Sequence, residues 1–258
     1  MAVFHVVSDE SSGTMHRDMF YRAGFIAPEK AWGDSFTPAW QERALDGPPA
    51  IPYFHMTEMR SAKFRNRYSL SRYESEQRID EAFRIIDSLG SLVPIACTAN
   101  GGDIRDIFNE TPIISPKPQP KSQRFRMEPD YLCFTAFTYI ALDYVSKHHP
   151  DCEKVDFVIE HNKPITDRLR DLHKTIPESL MNIDRGDLIP LLGAIIPGEK
   201  TERLPFHVAD LLCWYMQRYE KTSLSPSDLR RYSTILRRRS IHTSVLCPRS
   251  SVGRASVS

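Results

Sequence analysis

Three acids stand where a carboxylate could do chemistry. Asp9 directly follows the apolar run Ala2 to Ser8 (AVFHVVS), and Glu160 closes a second such run, Lys154 to Glu160 (KVDFVIE). Asp210 interrupts the apolar helical pattern Val208-Ala209-Asp210-Leu211-Leu212, three residues after His207, so that both project from one helix face. Carboxylates gathered at one place repel one another unless a cation joins them, and hard divalent ions such as Mg²⁺ or Mn²⁺ prefer oxygen ligands of this kind. Two such ions could bind a phosphodiester, activate water and stabilise the leaving oxygen.

Each acid also has an ordinary reading. Asp9 could form a turn or cap a helix, Glu160 could be a solvated strand end, and Asp210 could be a buried partner for an arginine. Glu10, beside Asp9, is either a further metal ligand or a cap for the same turn. In Tyr53-Phe54-His55-Met56-Thr57-Glu58, Glu58 is a candidate fourth carboxylate and His55 a proton shuttle, since imidazole titrates near neutrality. The competing reading of that segment is a helix start, with its acid serving the first turn.

The elements that must carry these residues can be read from periodicity. Ala2 to Ser8, Met19 to Ile26, Tyr53 to His55, Leu92 to Cys97, Lys154 to Glu160 and Ile189 to Ile196 read as strands. The first is expected to enter a turn at Asp9. Glu74 to Leu89 has apolar residues at Ile79, Phe83, Ile86 and Leu89, which is helix spacing, with Gly90 as a stop. Asp130 to His149, Pro164 to about Thr175, Phe206 to Tyr219 and Pro226 to Arg239 read as further helices. Strands first, then helices alternating with strands, predict an α/β fold: a mixed sheet with helices packed on it. Ligands gather at the carboxyl ends of parallel strands, where Asp9 and Glu160 both lie.

Bulk properties narrow the classes. The chain has 258 residues, 41% hydrophobic and 26% charged, with formal net charge +1. From Leu224 onward seven arginines face one acid, Asp228. A mildly acidic body would therefore need local basic patches, or a metal, to hold a polyanion. No apolar stretch is long enough to span a membrane, and no basic leader precedes the first apolar residues, so no membrane partner and a cytoplasmic setting are expected. Five scattered cysteines without a CxxC pair argue against a zinc ribbon or a disulfide framework, and Cys133 and Cys213 read as small buried thiols.

The division expected is a domain over 1–222 and a basic helix with a patternless, disordered tail over 223–258. Lys117, Lys121, Arg124 and Arg126 around the Pro-rich stretch 114–129 read as a solvated linker or phosphate contacts, and Arg237-Arg238-Arg239 as an exposed helix end or a nucleic-acid contact. Asn100-Gly101-Gly102-Asp103 reads as a turn, and Trp214 and Tyr215 as core.

Asp9-Glu10-Ser11-Ser12-Gly13, His55-Met56-Thr57-Glu58, Phe157-Val158-Ile159-Glu160 and His207-Val208-Ala209-Asp210 follow one another in an order that resembles an uncharacterised microbial family, the domain of unknown function numbered thirty-eight hundred. The resemblance runs from about Val3 to Tyr219, with one extra serine before Gly13 and His207 where glutamine is usual. That family in turn resembles the ribonuclease H-like superfamily, in which carboxylates on the first strand, a central strand and a late helix bind two metal ions. The resemblance implies a ribonuclease H-like domain and a metal-dependent nuclease or other phosphoryl-transfer hydrolase acting on DNA or RNA. Its site would be Asp9, Glu58, Glu160, His207 and Asp210, with Glu10 as an added ligand. In related Holliday-junction resolvases a His-x-x-Asp arrangement on the last helix lies in the active site. Two other readings stay open. One is a non-catalytic binding or regulatory protein of a mobile-element or defence system that keeps the fold. The other is a metal hydrolase that uses His55 and His207 on a small phosphoester.

Overall fold

A computed structural model describes residues 2–12, 19–100, 129–161, 163–199, 202–237 and 241–245. The Pro-rich stretch with Lys117, Lys121, Arg124 and Arg126, the turn residues 101–103, Gly13, Arg238, Arg239, Cys247 and the tail fall outside these residues. The protein is α/β, built on a six-stranded mixed sheet with helices on both faces.

The strands are β1 (Ala2–Ser12), β2 (Met19–Pro28), β3 (Val93–Asn100), β4 (Cys152–Glu160), β5 (Leu192–Gly198) and β6 (Ile241–Val245), in the spatial order β5-β4-β1-β2-β3-β6. The β1–β2 and β2–β3 pairs are antiparallel, whereas β4 runs parallel to β1 and β5 parallel to β4. Val6, Val7, Phe25, Ile26, Ile95, Val155 and Phe157 are all buried, as strands covered on both faces require.

The helices are α1 (Thr37–Trp40), continued on both sides by the π-helical turns Ala31–Phe36 and Gln41–Leu45, then α2 (Met56–Met59), α3 (Ala62–Arg67) and α4 (Arg72–Ser88). After β3 come α5 (Pro129–His148), α6 (Lys163–His173), α7 (Ile176–Asn182), α8 (Pro205–Glu220) and α9 (Pro226–Leu236). A capping box starts α4: Ser71 Oγ accepts the Glu74 N–H, and the Glu74 carboxylate accepts the Ser71 N–H.

Strand alternation sorts the side chains into two cores. Val7, Tyr21, Ala23, Phe25, Ala27 and Val158 pack with α8, α4 and the α1 region. Phe4, Val6, Ile26, Val155 and Phe157 pack on the other face with α5, through Phe137, Ala141 and Val145. Gly24 lets β1 and β2 approach closely enough to keep their register: a β-carbon there would lie 1.9 Å from the Val7 carbonyl oxygen.

Several elements depart from expectation. β1 does not turn at Asp9 but continues to Ser12, because β2 is long enough to pair Asp9 with Ala23 and Glu10 with Arg22. Tyr53 to His55 is not a strand; it leads into α2. β5 begins at Leu192, since Gly186–Leu191 forms a 3₁₀ helix. β3 takes the strand expected from Leu92 to Cys97 and extends it to Asn100, with Pro94 at its second position, ahead of the β6 ladder that begins at Ile95. Beyond 222 the expected helix forms as α9 and buries Tyr232 and Ile235, whereas Ile241–Val245, not read as a strand from the sequence, pairs in parallel with β3. Cys97, Cys133, Cys152 and Cys213 are buried free thiols. Among the described residues no helix is long and apolar enough to cross a membrane.

Candidate functional site

The parallel ladder between β1 and β4 ends at the pair Ser8–Ile159. One residue further on, Asp9 and Glu160 stand side by side at the carboxyl ends of neighbouring strands. Both follow the alternation of Val7 and Val158, so they share the sheet face covered by α8. Asp210 comes down from that helix, and all three acids line one cavity of about 350 Å³ together with His55, Thr57, Cys213, Trp214 and Gln217. Burial, and then the Asp9 and Asp210 carboxylates, push the Cys213 thiol well above its ordinary range, so it stays protonated beneath the acids.

Asp210 is buried and ties two elements together. Its Oδ2 accepts the Met56 N–H at 2.8 Å, which satisfies the first donor of α2, and its Oδ1 lies 3.3 Å from His55 Nε2. The half-buried His55 imidazole is thereby aimed at the carboxylate that faces the cavity. Asp9 Oδ1 accepts the Glu10 N–H at 2.8 Å.

Glu10 parts company with Asp9. Alternation turns it to the α5 face, where its carboxylate bonds Arg22, a β2 residue only 3% exposed. Arg22 also donates to Ser8 Oγ at 3.3 Å and lies over the Phe134 ring at 5.3 Å from its centroid. A second cavity of about 330 Å³ opens here, lined by Ser8, Arg22, His161 and Leu169, and it shares Asp9, Glu10 and Glu160 with the first. The two cavities thus form one trough across the strand tips.

Neither Glu58 nor His207 lines either cavity. Glu58 accepts the Tyr53 hydroxyl, and that bond, with burial behind it, pushes the phenol up to about 12. His207 is fully buried, and its Nδ1 accepts the Trp40 indole N–H at 3.1 Å. An indole N–H donates only to an unprotonated ring nitrogen, which assigns the His207 proton to Nε2. Its place is in the core against Trp40 of α1.

The donor set at the first cavity suits a hard divalent cation, being the carboxylates of Asp9, Glu160 and Asp210 with Glu10 at the boundary with the second cavity. Among the described residues, however, no group of three or more His, Cys, Asp or Glu side chains stands in a metal-holding arrangement. Oxygens of Asp9 and Asp210 are engaged instead with Glu10 N–H, Met56 N–H and His55, bonds with which a cation would compete.

Sequence reasoning missed Arg22, although an arginine inside the apolar run Met19 to Ile26 (MFYRAGFI) was its signal, since a buried charge needs a partner. It also assigned Trp214 wholly to the core. Trp214 does pack against the core's edge, but it is half-buried and forms part of the cavity wall, four residues after Asp210 on the same helix. Comparison with protein-family models, with curated proteins and with solved structures returns no match for the chain.

Proposed function

We propose that this protein is a ribonuclease H-like, Mg²⁺- or Mn²⁺-dependent phosphodiester hydrolase acting on nucleic acid, with Asp9, Glu160 and Asp210 as its metal ligands. The observation that carries the reading is their convergence: a first strand, its parallel neighbour and a late helix bring three carboxylates to one cavity. The bound ion would supply Lewis acidity and a water acidified towards neutral pH. Asp9 and Glu160 hold negative charge at the strand tips. Asp210 Oδ1 lies 3.3 Å from His55 Nε2 and so orients the imidazole at the cavity by accepting its N–H. Arg22 bonds the Glu10 carboxylate, so Glu10 would join the ligand set only by giving up that partner.

A second reading has its own support. Both Asp210 oxygens already serve local contacts, which suits a binding or regulatory protein that keeps the fold without catalysis. Incubating wild type and Asp9→Asn with single- and double-stranded DNA and RNA, across Mg²⁺ and Mn²⁺ titrations, separates the two. The hydrolase reading expects metal-dependent cleavage by wild type and a loss of about 100-fold or more in a folded Asp9→Asn. Equal cleavage by both proteins, or none by wild type under any condition, rejects it.

A further inference from the structure

One wall of the acidic cavity is aromatic, and two arginines lie against that aromatic ring. α8 presents Asp210, Trp214 and Gln217 to the same space, at the spacing of one helix face. The half-buried Trp214 ring carries the Arg218 guanidinium 4.4 Å from its centroid, and Arg60 approaches it at 5.7 Å. The two cations differ in freedom. Arg60 is tied to Glu76 and Asp228, whereas Arg218 is exposed at the end of the cavity-lining helix.

We infer that Trp214 is a stacking platform for an unpaired nucleobase next to the carboxylates, that Arg218 holds a neighbouring phosphate, and that the preferred substrate is a single strand. This rests on the reading of Asp9, Glu160 and Asp210 as a phosphodiester site, and it adds the class of nucleic acid that the site takes. The argument is one of surfaces. Inside a duplex both faces of every base are covered by neighbours, so a tryptophan wall can receive only a base that has left the stack. An indole beside an arginine suits this use, because every base offers a π-face and every linkage a phosphate. Gln217, next along the wall, carries both a donor and an acceptor and can meet any base edge. At about 350 Å³ the cavity has room for one nucleobase. Along the trough, Arg22 and His161 mark the side on which the strand would continue.

The test is binding, read separately from cleavage. Fluorescence anisotropy in Ca²⁺ would compare labelled single strands of about twelve nucleotides, one deoxy and one ribo, with a duplex of equal length and a mononucleotide. Wild type is expected to bind at least one single strand more tightly than the duplex or the mononucleotide. Trp214→Ala should weaken that binding by about 10-fold or more, and Trp214→Phe should restore most of it. Arg218→Ala changes an exposed residue with little risk to folding, and should lower the slope of log affinity against log salt by about 0.7. Wild-type affinity in both Trp214→Ala and Arg218→Ala would overturn the inference, as would equal affinity for single strand, duplex and mononucleotide. The Asp9→Asn cleavage result keeps the two proposals distinct. Lost cleavage there with unchanged binding in Trp214→Ala rejects the platform alone. Weakened binding in Trp214→Ala with undiminished cleavage by Asp9→Asn rejects the carboxylate site alone.

Discussion

At the scale of single residues, Asp9 and Glu10 are neighbours in the chain with opposite surroundings. A strand turns successive side chains to opposite faces, so Asp9 meets Glu160 and Asp210 while Glu10 meets Arg22. Asp210 has two roles that substitution can separate. Asp210→Asn retains an acceptor for the Met56 N–H but removes the charge. Asp210→Ala also leaves that buried donor without its partner, a loss of about 1–3 kcal/mol. Urea denaturation is therefore expected to place Asp210→Asn near wild type and Asp210→Ala clearly below it. Equal destabilisation of the two variants would mean that the hydrogen bond is not what Asp210 contributes to stability. His207 shows the limit of motif reading at this scale. The spacing His-x-x-Asp was legible, but which way the histidine faces depends on Trp40, 167 residues away in sequence.

At the scale of elements, most of the strands and helices were legible because their periodicity is local. Glu74 to Leu89 declared its helix through Ile79, Phe83 and Ile86, and Ser71 with Glu74 fixed where it starts. What was not legible depended on partners. The continuation of β1 through Asp9 is set by the length of β2, and the role of Ile241–Val245 by the free edge of β3. α9 itself was legible as the helix from Pro226, but its docking was not: Arg231 bonds Asp80, Glu76 and Asp228, and Tyr215 donates to Asp228, which clasps α9 to α4 and α8. Burial raises the Asp228 pKa, but the bonds from Ser225, Tyr215 and Arg231 and the charge of Arg60 outweigh it and hold the group below the usual carboxylate range. A depressed carboxyl stabilises the fold above its unfolded value, about 3.9, and that contribution is lost as pH falls through the folded one. Asp228→Asn is thus expected to be less stable than wild type at pH 7, with the gap narrowing below about pH 4. Urea melts of both proteins at neutral and acid pH would show this, and a gap independent of pH would contradict it.

At the scale of the whole molecule, the sheet converts sequence distance into a site. Asp9, Glu160 and Asp210 come from three elements, and only the parallel β1–β4 ladder with α8 across it makes them line one cavity. The order of these acids was readable from the chain because each ends or interrupts an apolar run. The wall that Trp214 contributes was not, since an aromatic on an apolar helix face looks the same in sequence whether it faces the core or a cavity. The most direct test of the account is calorimetric titration of Mn²⁺ into wild type, Asp9→Asn and Glu160→Gln, with folding checked by circular dichroism. The account predicts saturable binding to wild type that is weakened at least about 10-fold in both folded variants. Mn²⁺ binding of wild-type strength in the two variants, or no binding to wild type, would contradict it.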